Sequence, residues 1–587
     1  MSRNTLIAIF ATTIAMAGLV PAEARESTVY TVDQLRNAIY AAAPGDRIYV
    51  APGLYNQRLW VSGVNGTADN MIEVVALDPA NRPKFTCDSA SCFTLSNSSY
   101  VLVDGIEAYG GGTPTQDSNN IEFTNSNHMI LKNSYSHDID HNGNSDGVKF
   151  AGSSNILMYG CTVKSWADGG SAVDQMYQTN SLMMRNTILY PELPLYAGAN
   201  GTQPKGESYE NGYYKNYFND GSSRCIQFGG QGGAPHWEAW DMVAMGNVID
   251  RGEAAVAYVS CTDSVFDYNT ILNPEMYLMR ILREGGDQQT SYNTFRHNLI
   301  QYGNLPYIQN VGSNTLPATF DYAENYWYKS TNPGASIPSL PGGETNPAGG
   351  VNPQLDANYR PLYAGARSYG AHAPEMEAAW APYTDWFAWA WEKALEYEPD
   401  AAAGGGYSTA PTIDVELDGS GSYAGVGSRG AYAVGEYLWD LDGDGVFDDA
   451  AGASPVLTYD DLTGTGPGQL GLSPGTHTVE LQIAVTNEYG VTTLDWGRSE
   501  LLVLAELLNG DANVDGVVGI ADLVVLADHY GQSGGWKQGD FNADNLVGIA
   551  DLCALADHYG QVAGGTVPEP TCLALVLSTG LMLLRRR

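Results

Sequence analysis

A chain of 587 residues with 66 acidic against 28 basic side chains carries a formal charge of −38. That balance opposes the neutralisation of phosphates on which nucleic-acid binding depends, so no nucleic-acid partner is expected. The length exceeds the roughly 100–200 residues of one domain, so several units are expected, one of them large and repetitive. Of the seven cysteines only Cys87 and Cys92, in CDSASC, lie close enough to suggest a disulfide; Cys161, Cys225 and Cys261 are expected in a core.

Residues 1–24 combine a basic Arg3, an apolar stretch from Leu6 and a small-residue site at Ala22-Glu23-Ala24. This predicts a secretory signal peptide and an exported, surface or extracellular protein. Next, Leu35, Ile39 and Ala43 share helical spacing, and Pro44-Gly45-Asp46 stops that helix before a strand. From about residue 94, short β-branched and aromatic runs alternate with turns rich in Asn, Gly and Ser. One position repeats as Asn133, Asn186, Asn216, Asn247, Asn269 and Asn298, with Cys161 filling one coil; the steps are 28, 25, 30, 31, 22 and 29 residues. Such steps fit the coils of a solenoid, eleven or twelve of about 25–30 residues each, and a stacked asparagine column at a turn is structural rather than catalytic.

The repeats end near Asn352-Pro353-Gln354-Leu355, and RPLYAGARSYGAHAP reads as the last coil. A helical stretch, Pro374–Tyr397, carries Trp380, Trp386, Trp389 and Trp391, expected to pack as a cap on an open solenoid end, with stacking on sugars as the alternative. Ala401–Gly406 reads as a flexible linker. Residues 410–503 alternate in strand fashion. Beyond them DANVDGVVGIADLVVLADHYG from Asp511 and DFNADNLVGIADLCALADHYG from Asp540 match 29 residues apart. Each sets oxygen ligands at loop positions 1, 3, 5 and 12: Asp511, Asn513, Asp515 and Asp522, then Asp540, Asn542, Asp544 and Asp551. That spacing wraps a loop around Ca2+.

Aligning coils on turn asparagines places Lys149, Asp174 and Lys205 each six residues before Asn155, Asn180 and Asn211. Matched positions stack about 4.8 Å apart in a parallel solenoid, which predicts an outward Lys-Asp-Lys ladder. A lysine near another cation can remove the proton α to a uronate carboxylate, while Lys149, Lys205 or Arg224 neutralises that carboxylate. The alternative is an ion-pair ladder that only stabilises the stack. Upstream, Asp138, Asp140 and Asp146 are spaced like the start of a further calcium loop, or of a turn full of Asx hydrogen bonds. His137 and His141 flank it, and His236 and Arg280 are further candidates for contact with substrate.

Several segments resemble known families. The helix before the first strand is similar to the N-terminal cap of secreted β-helices. YLWDLDGDG with PGTHTVELQIAV resembles a PKD-type Ig-like sandwich, a spacer or weak glycan binder. The duplicated loops resemble a dockerin, which implies a cohesin partner; Asn545 departs from the sharp-turn glycine, and Gly519 and Gly548 replace a polar ligand. VPEP, an apolar run and Arg585-Arg586-Arg587 resemble a PEP-CTERM sorting signal, which a membrane protease removes. KGESYENGYYKNYFNDGSSRCIQFGG, HWEAWD and NTILNPEMYLMRILRE resemble secreted bacterial β-helix proteins close to polysaccharide lyases of the chondroitinase B and alginate lyase type. In those a lysine and an arginine one coil later form base and acid. Lys205 matches the first, but Gly229 stands at the second position, with Arg224 nearby.

The expected architecture is therefore mainly β: a signal peptide (1–24), a right-handed parallel β-helix with a helical cap at its N-terminal end (25–372), a helical segment and linker (373–409), an Ig-like sandwich (410–503), a small α-helical dockerin-like EF-hand pair (508–562) and a sorting signal (566–587). The expected function is cleavage of an anionic polysaccharide by β-elimination, with Lys205 as base. The alternatives are a glycoside hydrolase using Asp146 and Asp174, and a non-catalytic glycan-binding surface protein. Fold alone does not choose among them.

Overall fold

A computed structural model describes residues 24–564, apart from 89, 113–117, 140–142, 192–198 and 221–222. The proposed signal peptide, apart from Ala24, and the sorting signal lie outside the described residues. So do Asp140 and His141.

The chain is mainly β and winds as a parallel solenoid. The helix Val32–Ala41, capped by the Thr31 hydroxyl accepting the Gln34 amide, buries Val32, Leu35 and Ile39 and packs on the first strands. Three parallel sheets of thirteen, ten and twelve strands run along the solenoid. The ten-stranded sheet limits coils with all three sides to ten, fewer than the eleven or twelve expected: the first and last turns lack one side. Branched and aromatic side chains alternate inward along each strand, so Phe93, Phe123, Phe150, Ile226 and Phe228 stack into one core. Cys161, Cys225 and Cys261 join it, as expected, but Cys87 and Cys92 form no disulfide.

The asparagine column is a hydrogen-bonded ladder. The amide nitrogens of Cys161, Asn186, Asn216, Asn247, Asn269 and Asn298 each donate to the next coil's asparagine Oδ1, ending at Asn325, at 2.9–3.0 Å. Each side-chain amide also donates to a buried carbonyl, for example Asn247 Nδ2 to Tyr213 O at 2.9 Å. Asn133 does not belong to it. Strand register places Asn133 one residue earlier, at a corner with φ 49°, where it donates to Asp104 Oδ1.

The last solenoid strand is Ala348–Gly349. Residues 353–374 do not form a coil. They run back along the flank, where the Gly370 amide donates to His297 O and Ala371 to Thr270 Oγ1. The helices Met376–Trp380 and Ala388–Tyr397 therefore cover a side of the thirteen-stranded sheet, not an open end. Trp380 stacks on Tyr214 at 4.3 Å, within a second apolar cluster that includes Leu157, Met184 and Met245.

A five-stranded sheet follows (Tyr407–Thr409, Thr492–Val503, Gly475–Thr486, Val434–Asp440, Ala450–Ala451), antiparallel except at its first pair, over a core around Trp439. A two-stranded pair, Val415–Glu416 with Val456–Leu457, lies opposite. The stretch before it is no free linker: Ala401 and Ala403 are buried, and the Ala401 amide donates to Asp495 Oδ2. This unit is fastened to the solenoid by Arg185 donating to Leu494 O at 3.3 Å and lying 3.5 Å from Asp495, by Ser428 to Asp104, and by Arg429 donating to Ala76 O. The C-terminal segment is a pair of loop-helix units, with helices Ile520–His529 and Ile549–His558 over a shared apolar core.

Candidate functional site

The outer face of the ten-stranded sheet carries a polar row. In register across successive strands stand Trp60, Thr94, Glu122, Lys149, Asp174 and Gln203, and Arg280 lies further along the same sheet. Neighbours such as Val148, Phe150 and Val173 fill the core, so strand alternation turns these polar side chains outward.

The ladder forms with one correction of register. Lys149 pairs opposite Asp174, but Gln203 stands opposite Asp174 and Lys205 stands opposite Met176. The six-residue alignment is offset there by two residues: Glu210, not Asn211, is the counterpart of Asn180, and the stretch leading to it is one residue longer. Lys205 still reaches back: its Nζ lies 2.8 Å from Asp174 Oδ1, while Lys149 Nζ lies 2.6 Å from Asp174 Oδ2 and 3.1 Å from Asp146 Oδ2. Asp174 is not solvent-facing. Its side chain is only 2% exposed beneath the two ammonium groups.

Charge is divided unequally between the two carboxyls. Burial raises the pKa of Asp146, the Asp174 charge adds to this, and the result is about 7 despite Lys149. Burial also works against ionised Asp174, but Lys205 and Lys149 outweigh it and hold its pKa below the ordinary carboxylate range. Lys149, although desolvated, is held above the usual lysine value by Asp146 and Asp174.

Arg224 and Arg280 extend the cationic strip. Arg224 donates to Gln227 Oε1 at 2.7 Å and pairs with Glu284 at 2.7 Å, and Arg280 lies 3.6 Å from Glu253. Burial and then the Arg224 charge lower the Arg280 pKa, which places the two guanidiniums near one another. A wall rises beside Lys205: buried Glu238 accepts the amides of Gly206, Gly232, Gly233 and Ala234 at 2.7–3.2 Å and so fixes the 230–238 loop. Gln203, Gln227, Glu238, Glu253 and Glu284 were not singled out from sequence. The one available signal was position, two residues before Lys205 for Gln203 and three after Arg224 for Gln227.

Other expected residues lie elsewhere. His137 belongs to the twelve-stranded sheet, stacked between Tyr109 and Tyr135 and bonded to Glu107 and Asp138, away from the lysines. His236 sits exposed on the wall loop, its pKa raised by its hydrogen bond to Asp287. Asp146 and Asp138 turn to different partners. Asp146 is buried, accepting the Ser171 amide and Lys149, while Asp138 faces His137.

In the C-terminal module the two loops repeat the same bonds. Asp511 accepts the amides of Asp515 and Gly516, and Asp522 those of Ala512, Asn513 and Gly519; Asp540 and Asp551 match them around the second loop. Asn545 takes the left-handed conformation (φ 67°) that Gly516 has in the first loop (φ 83°), which asparagine tolerates better than most residues. Burial, followed by the charges of Asp522 and Asp515, pushes Asp511 up to about 6. Mutually repelling carboxylates of this kind suit a hard cation. In the five-stranded unit, Asp440, Asp442 and Asp449 also bring carboxylate oxygens within 4.8 Å of one another.

No family model and no curated protein matches this chain. Among solved structures it is similar to an alginate lyase from Paenibacillus sp. strain FPU-7 (16% identity, 49% of this chain and 97% of that one, TM-score 0.32). It is also similar to the PL6 family alginate lyase AlyGC (13%, 66% and 61%, TM-score 0.33), so it spans about three-fifths of that protein. A third is the catalytic unit of the GH87 α-1,3-glucanase from Streptomyces thermodiastaticus strain HF3-3 (11%, 57% and 69%, TM-score 0.34). Scores this low carry nothing beyond the solenoid character already visible in the sheets.

Proposed function

We propose that the protein is an exported polysaccharide lyase whose ten-stranded face binds an anionic, uronate-containing glycan. The observation that carries this reading is the gathering of Lys149, Lys205, Arg224 and Arg280 on one open face of a chain with a formal charge of −38. A uronate carboxylate docks against Lys149, which shares Asp174 with Lys205 and stabilises the charge that spreads onto the carboxylate as the α-proton leaves, while Arg224, three strands away, serves the leaving-group side of the chain. The Lys205 amine takes that proton, the C–H electron pair becomes the new C=C bond, the C–O bond breaks with its pair on the leaving oxygen, and that oxygen takes a proton from solvent, giving an unsaturated chain end. Exposed Trp60 at one end of the face and the stacked pair Tyr277–Tyr307 at the other offer sugar-stacking surfaces.

In this reading the duplicated loops of the C-terminal module hold Ca2+ through Asp511, Asp515 and Asp522 and through Asp540, Asp544 and Asp551, with Asn513 and Asn542 as oxygen donors. The module docks the enzyme to a cohesin, the five-stranded unit is a PKD-like spacer, and a sorting protease acts at the C-terminus. The test is incubation with alginate, pectate, chondroitin and ulvan while following the ultraviolet absorbance of unsaturated ends. A rise that Lys205→Ala abolishes supports the lyase; no rise on any of them refutes it for those glycans.

A hydrolase is the second reading, favoured by the opposite environments of two carboxyls that share Lys149: burial raises Asp146 to about 7, while Lys205 and Lys149 hold Asp174 below the ordinary carboxylate range, the division an acid and base pair needs. Reducing ends without absorbance, lost in Asp146→Asn, would establish it. Binding without either product would leave a glycan-binding surface protein.

A further inference from the structure

Beside Lys205 the ten-stranded face carries a side chain that its polar row does not explain. Tyr177 follows Met176, the strand partner of Lys205, and is 45% exposed next to an outward row that reads Lys149, Asp174 and Gln203. We infer that Tyr177 is a sugar-stacking platform and that buried Glu238 is the positioning residue that keeps it in place. The sugar it takes is the neighbour of the one presented to Lys205. This deepens, and rests on, the reading of the ten-stranded face as a glycan-binding surface.

The ring is placed from both ends. The Tyr177 amide donates to Lys205 O at 3.0 Å, and the hydroxyl lies 3.4 Å from Gly232 O. Between these anchors the ring lies flat over Gly206. A Cβ at that glycine would stand 3.1, 3.2 and 3.3 Å from Cε1, Cζ and Cδ1 of the ring. Three adjacent ring atoms are so nearly equidistant only from a point above the ring plane. One face of the phenol is therefore covered by Gly206, and its exposed surface is left for a ligand.

The far anchor is itself fixed. Glu238 is fully buried, and its two oxygens accept the amides of Gly206, Gly232, Gly233 and Ala234 at 2.7–3.2 Å. One carboxylate thus ties the residue after Lys205 to the loop that meets the Tyr177 hydroxyl. A Cβ on Gly232 would stand 2.5 Å from the Gly206 amide nitrogen, so the two backbones touch. Burying a carboxylate is costly, and the four amides offset that cost only while the loop stays closed against Gly206. A sugar ring has an apolar face of C–H groups, and an aromatic ring already fixed in place takes it with little loss of conformational freedom. The lysines attract any polyanion; the platform favours one built of sugar rings.

The test titrates the full chain by calorimetry with short oligomers of alginate, pectate, chondroitin and ulvan, and with polyglutamate as a polyanion without sugar rings. Saturable binding of at least one oligomer is expected. Tyr177→Ala, and Tyr177→Leu, which still covers Gly206, should each weaken it at least about tenfold, while Tyr177→Phe keeps the ring and should stay within about threefold. Both losses should be absent for polyglutamate. Tyr30→Ala, which removes an exposed phenol beside the N-terminal helix, should leave affinity unchanged. Glu238→Gln turns an NH2 group towards amide donors; it should weaken the same oligomer in the native background and add no further loss to Tyr177→Leu, because it acts through the ring. If Tyr177→Ala fails to fold, Tyr177→Leu decides. No saturable binding of any oligomer, unchanged affinity in Tyr177→Leu, an equal loss in Tyr177→Phe, or an equal loss towards polyglutamate would overturn the inference. Oligomer binding that Tyr177→Leu weakens, in a chain that cleaves none of the four polymers, refutes the lyase and keeps the platform; Lys205-dependent cleavage with an unchanged KM in Tyr177→Leu does the reverse.

Discussion

Asp174→Asn separates a working lysine from a merely structural one. The carboxylate is buried and holds two ammonium groups at 2.6 and 2.8 Å. Removing one partner of a buried ion pair costs about 3–5 kcal/mol, because the remaining charge is left uncompensated. Asp146 also bonds Lys149, at 3.1 Å, so the lower end, about 3 kcal/mol, is expected. Denaturant unfolding followed by the solenoid's far-ultraviolet signal measures it. The second effect is on chemistry: Asp174 holds the Lys205 Nζ at 2.8 Å, and a base shifted by about 1 Å loses about 100-fold in rate. Elimination by the folded variant, followed as unsaturated ends, should fall by about that factor. An unchanged rate in a folded variant refutes Lys205 as a base held by Asp174, and complete loss of reducing-end release in that variant points instead to Asp174 in the hydrolase.

Asn247→Ala, in the middle of the asparagine ladder, orphans the Asn216 amide and the Tyr213 carbonyl and should cost about 2–4 kcal/mol, read by denaturant unfolding. Trp380→Ala removes a fully buried ring from between the flank helix and Tyr214; a loss of about 3–5 kcal/mol is expected, with early proteolytic cutting in 374–400 as its signature. In the C-terminal module Asp511 has a raised folded pKa, so in chelator its contribution to stability is complete below the ordinary aspartate value near 4 and is lost as pH rises through about 6. Calcium should reverse that slope above pH 6, since it binds the carboxylates; melting curves with calcium and with chelator across pH 4–8 check it, and identical slopes would refute calcium binding.

What was legible in the sequence was what repeats with the coil. Inward aromatic and branched residues recur at every turn because each must fill the same place in the core, and the asparagine column recurs because each backbone corner needs the same bonds. Even so, Asn133 was placed in the wrong column, since one corner holds asparagine at both the left-handed position and, in later coils, the ladder position one residue on. The returning segment and the tryptophan helices had the composition of a cap, but composition does not distinguish the end of a solenoid from its side. Strand pairing does, through Gly370 on His297 and Trp380 on Tyr214.

The outward face was legible only in part, and for a physical reason. Outward residues have no core to fill, so nothing forces one coil to resemble the next, and the Lys149–Asp174 match carries no information about Lys205 once an insertion changes the count. Lys205 lies two residues out of register and still meets Asp174, because a lysine side chain spans the diagonal between neighbouring strands. The result differs chemically from a straight ladder. Asp174 is covered by both lysines instead of alternating with them in solvent, so its charge is fixed and Asp146 is left as the group that titrates near neutrality. A stack of exposed ion pairs would contribute little and would be tolerant of exchange; one buried carboxylate serving two cations is not, and that is why substitution at Asp174 reports on the whole face.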